Sequence, residues 1–154
     1  MVMTPMFHPR QAIRSKTTPM QVRFERALLL VLNDLGMELV KYARLMHNYI
    51  DRTGNLTNSM GYAVVKGRTV MMHGGELHDG EGKEAAIKAA MRVARKCTTN
   101  YSLIVVAGME YALYVESKGY NVLLPSEMMA IKEFKPRLKA LHAKYETKLK
   151  LLVA

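Results

Sequence analysis

His73 and His78 are the residues of this chain whose types and spacing come nearest to chemistry. Glu76 and Asp79 accompany them in one glycine-rich loop. Imidazole and carboxylate together ligate zinc and related cations. The His-x4-His spacing matches no established ligand pattern, and the loop offers no groups to orient the imidazoles from behind. The same loop contains Gly74-Gly75 and Gly80-Glu81-Gly82. A phosphate cradle needs a strand, then glycines, then Lys-Ser/Thr, and that order is missing. Thr53 and Ser59 carry hydroxyls, with no acid–base pair beside them in sequence. Glu110 and Glu116 fall on different faces of a helix, so they do not form an obvious paired acid and base. The single cysteine, Cys97, excludes an intramolecular disulfide and a cysteine-based zinc site. The expectation is a protein with no catalytic residue, no metal and no cofactor, and not an enzyme.

The remaining candidates are basic. Lys88, Arg92, Arg95 and Lys96 crowd one side of a helical pattern from Lys83 to Cys97, opposite Ile87, Met91, Ala94 and Cys97. The chain carries 23 Lys and Arg against 13 Asp and Glu, a formal net charge of +10. Such a balance favours solubility, and it also suits a negative neighbour such as nucleic acid or an acidic protein rim. In sequence the charge is spread over three segments rather than gathered in one cluster. The longest apolar run, Ala27 to Leu32, is six residues, far short of the ~18–20 that a bilayer needs. The basic start of the chain has no apolar stretch behind it, so no secretory signal is expected. Synthesis in the cytoplasm is.

The elements that must position these residues follow from periodicity. Residues 1–18 read as a flexible arm with two prolines and scattered positive charge. Thr18-Pro19 is a helix start, a hydroxyl cap before a first-turn proline. Phe24, Leu28, Val31, Leu35, Leu39, Tyr42, Met46 and Tyr49 then form one apolar stripe. Leu29, Leu30, Val40 and Leu45 widen it, and Gly36 marks a close approach of another backbone or a slight bend. Asp51 to Ser59 is a turn. Met60–Val65 and Arg68–His73 form a hairpin around Lys66-Gly67. Tyr101–Val106 reads as a buried strand. Tyr111, Ala112, Tyr114 and Val115 lie on one side of a short helix that Gly119 ends, with Tyr111 in the core. Tyr120–Leu124 adds a short strand. Ser126, as a cap, opens a last helical segment to about residue 152, which Pro136 breaks. Together these give an α+β fold: a long N-terminal helix packed on a small, mostly antiparallel sheet, with short helices and a C-terminal helix. Residues 19–154 form a single domain.

Two motifs in this order, Thr53-Gly54-x-Leu56-x-x-Ser59 and Tyr111-Ala112-x-Tyr114-Val115-Glu116-x-x-Gly119, resemble those of the tail-completion, or head–tail joining (neck), proteins of long-tailed bacteriophages and prophages. The resemblance spans roughly Val22 to Leu124. Segment 74–84 with its helix is longer than that family's hairpin connection, and the proline-phenylalanine closing motif is only echoed in Leu124-Pro125 and Phe134-Lys135-Pro136. The resemblance implies a structural virion protein, made in the host cytoplasm and carried in the tail neck. It implies a homo-oligomeric ring, a hexamer, between the tail tube protein and the head-side connector or stopper protein. Contact with copies or partners then falls to Thr53, Gly54, Leu56, Ser59, Tyr111, Tyr114, Glu116 and Gly119. DNA passing through the lumen is a further contact, and no membrane is involved. The alternative is a small basic nucleic-acid-binding protein that uses Lys88, Arg92, Arg95, Lys96 and the lysines of the last helix.

Overall fold

The computed structural model describes residues 9–75 and 78–153, with side chains from Pro19 onward except at 149, 152 and 153. Helix α1 spans Pro9–Met46, α2 Asn55–Asn58, β1 Met60–Lys66, β2 Thr69–Gly74, α3 Glu81–Ala94, β3 Tyr101–Ala107, α4 Ala112–Ser117 and α5 Leu124–Val153. The three strands form one antiparallel sheet in the order β2-β1-β3. This is an α+β fold with a long N-terminal helix against a small sheet.

The central strand explains the layering. β1 is buried from Met60 to Val65, on both faces. Met60, Tyr62 and Val64 point to a core shared with Leu29, Leu32, Val40 and Ala43 of α1. Ala63 and Val65 point the other way, to Ala86, Ala89, Ala90 and Ala94 of α3 with Ile104 and Val106 of β3. A strand alternates its side chains between faces, so a strand covered on both sides reads as a continuous apolar run. Helix α1, with α5 alongside it, covers one face, and α3 covers the other. The β1–β2 hairpin turns at Gly67, which takes φ +62 at the first of two loop residues. Hairpins of the II′ type reserve that position for glycine. On edge strand β2 the register shifts opposite Val64/Val65, leaving Met71 as an extra residue. Such a bulge blunts an edge against unwanted pairing.

Close approach of helices to the sheet depends on two glycines. The Tyr62 ring lies over Gly36 so closely that a Cβ there would sit 2.4 Å from the ring. The phenol then donates to Asn33 Oδ1 at 2.8 Å. Gly36 is thus a point of close approach, but to the Tyr62 side chain and not to the other backbone expected from the sequence. On the opposite face a Cβ on Gly108 would fall 2.2 Å from the backbone carbon of Ala85 in α3. The alanine face of α3 and this glycine let two backbones meet without side chains between them.

Several expectations are corrected. The arm expected over residues 1–18 is helical from Pro9, and α1 passes through Pro19. Residues 1–8 lie outside the described residues. Helix α5 begins at Leu124 and runs unbroken through Pro136. Both prolines are exposed, so water can reach the carbonyl that each leaves without its helical partner. The buried stripe of α1 is Leu29, Leu32, Leu35, Leu39, Val40 and Ala43, whereas Leu30 and Leu45 are exposed. In α3 the buried face is alanine, and Met91 points outward. Tyr120–Leu124 forms no strand. Its Asn121 N–H instead donates to Asn48 Oδ1 beyond the end of α1. Ser126 is no cap: its buried hydroxyl donates to the Leu39 carbonyl of α1 at 2.6 Å.

Candidate functional site

The two motifs of the sequence meet at one corner of the fold. Gly54, at φ +74, turns the chain into α2. The Asn55 N–H donates to Thr53 Oγ1, and the Thr57 N–H donates to Asp51 Oδ2 at 2.7 Å. From α1, Arg44 donates through Nε to the Thr57 carbonyl and through Nη2 to the Met60 carbonyl, at 3.1 and 2.8 Å. A guanidinium presents several donors in a fixed plane, so one side chain clamps both ends of the turn. The buried Tyr49 hydroxyl lies 3.4 Å from Thr57 Oγ1. Burial pushes that phenol above its ordinary pKa, which keeps it neutral.

Ser59 joins this turn to the segment that leads into the second motif. It is fully buried, and its hydroxyl donates to the Leu56 carbonyl at 2.8 Å. Its backbone carbonyl accepts from the Gly108 N–H at 2.9 Å, and its hydroxyl accepts from the Met109 N–H at 3.4 Å. The chain then enters α4, and Gly119 ends it at φ +87. Glu116 Oε1 accepts from the N–H groups of Leu123 and Leu124 at 2.9 and 2.7 Å. This carboxylate therefore caps the start of α5, where free N–H groups and the helix dipole favour negative charge.

The eight expected contact residues divide by exposure. Leu56 and Ser59 are internal, and Glu116 is committed to α5. Thr53, Tyr111, Tyr114 and Gly119 face outward, with Gly54 partly covered. Tyr111 is not a core residue: it is 40% exposed, and Ala112 is buried in its place. With Leu113 and Tyr114 it makes an exposed apolar knob beside the motif junction.

A cleft of about 520 Å³ separates that knob from α3. Lys88 and Arg92 line it together with Glu81, Glu84, Glu110 and Tyr111. The basic face expected on α3 is therefore interrupted by three carboxylates, and Arg95 and Lys96 lie past it, beyond the end of the helix. Among the described residues no group of three His, Cys, Asp or Glu is placed to hold a metal ion, and Glu76 lies outside them. Among the described residues no helix is long and apolar enough to cross a membrane.

Sequence reasoning missed Arg44, which looks like any surface arginine of a long helix until its partners are known. It also missed the bracing of α5 by Arg137, whose guanidinium donates to both carboxylate oxygens of Glu38 on α1 and to Glu133. The chain matches no protein family, no curated protein and no solved structure.

Proposed function

We propose that this chain is a structural assembly subunit of the tail-completion, or neck, type. In this reading copies form a ring, of six subunits, that joins a phage tail tube to the head-side connector or stopper protein. It is made in the host cytoplasm and ends in the virion. One observation carries the reading: buried Ser59 of the first motif is hydrogen-bonded to Gly108 and Met109, the residues that lead directly into the second. Their outward residues, Thr53, Tyr111 and Tyr114, are thereby held on a rigid corner. A ring contact is heterologous, so a rigid knob on one copy must meet a different surface on the next. The exposed apolar knob at Leu113 and Tyr114 beside a cleft of mixed charge has that character.

The test is the mass of the purified protein, followed by electron microscopy of it alone and mixed with its tube protein. Rings are expected, and Tyr114→Glu is expected to break them without lowering the melting temperature. A strict monomer that joins neither tube nor connector overturns the reading.

A further inference from the structure

The long helices run past the sheet and form an arm of their own. The residues of α1 that pack on the sheet begin at Leu28, and Glu25 pairs with Lys66 at the end of β1. Before that point α1 continues back to Pro9, about 24 Å at 1.5 Å per residue. Helix α5 lies antiparallel to it there. The Tyr145 ring meets Phe24 edge-on at 5.2 Å, and its hydroxyl donates to the Arg23 carbonyl at 3.3 Å.

This arm concentrates the charge of the chain. Residues 9–26 and 139–153 hold nine Lys and Arg against two Glu, so they carry +7 of the total +10. Residues 27–138 hold fourteen against eleven, a net of +3. The described members Arg23, Arg26, Lys139, Lys144 and Lys148 are all exposed. The two acids are already engaged, Glu25 by Lys66 and Glu146 by Lys150. By contrast, Lys88 and Arg92 of α3 share their cleft with three carboxylates.

We infer that the arm is a sequence-independent binding surface for the phosphate backbone of double-stranded DNA. Among the described residues both helices of the arm contribute exposed cations, Arg23 and Arg26 from α1 and Lys139, Lys144 and Lys148 from α5. Among the described residues of the arm the aromatic groups, Phe24 and Tyr145, are turned to each other, and the exposed large apolar side chains are only Val22 and Leu151, too few for a face that enters a lipid surface. A polyanion with evenly spaced charges satisfies such an arm, because each lysine or arginine that meets a phosphate releases condensed counterions. The inference does not rest on the ring reading, since assembly is read by mass and DNA binding by its salt dependence.

The experiment titrates a fluorescent duplex of arbitrary sequence with the full chain between about 50 and 200 mM salt. Steeply salt-dependent binding is expected. Arg23→Gln, Lys139→Gln, Lys144→Gln and Lys148→Gln together are expected to weaken it at least about tenfold and to reduce the slope against log salt by about 3 to 4. Lys88→Gln with Arg92→Gln is expected to leave affinity within about twofold. All four arm residues are exposed, so the melting curve should hold. If the combined variant misfolds, Lys144→Gln alone should reduce the slope by about 1. The inference is overturned by absence of binding at the lower salt, or by loss of binding in the α3 variant and not in the arm variant. Binding to phosphatidylcholine–phosphatidylglycerol vesicles without binding to the duplex also overturns it.

Discussion

The sheet end and the helical arm of this molecule are held together by different physics. At the sheet end, backbones touch at Gly108, the Tyr62 ring lies on the backbone of Gly36, buried side chains fill both faces of β1, and Ser59 and Arg44 tie loops to helices by hydrogen bonds. In the arm, among the described residues, the two helices meet through the Phe24–Tyr145 ring pair and the Tyr145 hydroxyl bond, under a net charge of +7. Like charges so close oppose the pairing of α1 with α5, and dissolved salt screens that repulsion. The contrast teaches that one end is built to hold a shape and the other to wait for a counter-charge. Stability of the arm should therefore rise with added salt or bound duplex, while the sheet barely responds.

The largest expected effect breaks the rigid end. Gly108→Val places side-chain atoms against the Ala85 backbone, which cannot swing aside, and should cost about 3 kcal/mol or more in urea unfolding. Arg44→Met keeps the stem and removes the clamp on Thr57 and Met60, for a loss of about 2 kcal/mol. Tyr145→Ala probes the other side of the comparison. It should cost about 1 kcal/mol or less, with faster hydrogen exchange confined to the ends of α1 and α5. Exchange that quickened equally in β1 would show that the two ends unfold as one unit.

A smaller effect comes from the ion pair where arm and sheet meet. Hydrogen bonding to Lys66 holds the Glu25 carboxyl below its ordinary pKa, and Glu25 raises the Lys66 ammonium in return. A lowered carboxylate pKa stabilises the fold above its unfolded value, and that contribution is lost as pH falls through the folded one. The melting temperature should therefore drop slightly more on acidification in the parent than in Glu25→Gln. Lys66 is exposed and Glu25 partly so, so salt should shrink the difference. The smallest effect is at Tyr111. Its exposed ring predicts that Tyr111→Ala shifts stability by less than about 0.5 kcal/mol. A large loss would place the ring in the core after all.

Much of the sheet end was legible because local patterns agreed with the final packing. Lys66-Gly67 gave the hairpin, Gly119 the end of α4, and the apolar run Tyr101–Val106 a strand, of which Ile104 and Val106 are buried and the other face is half-covered. The candidate corner was legible as two motifs but not as one place, since forty-nine positions separate Ser59 from Gly108 and nothing local joins them. The prolines misled for a related reason. A proline removes one helical bond wherever it sits, yet whether a helix ends there depends on what the neighbouring turns gain by continuing. For α1 that gain includes packing on α5, which no local window contains.

Taken alone, the amino-acid order determined the three strands, the central parts of the helices, the α+β class and the excess of positive charge, because each depends on neighbours a few positions apart. Only the tertiary structure decided which face of α1 is buried, that Tyr111 points outward, and that charges from the two ends of the chain share one arm. Those outcomes depend on which distant surfaces meet, and antiparallel packing of α1 with α5 puts Arg23 and Arg26 on the same arm as Lys144 and Lys148.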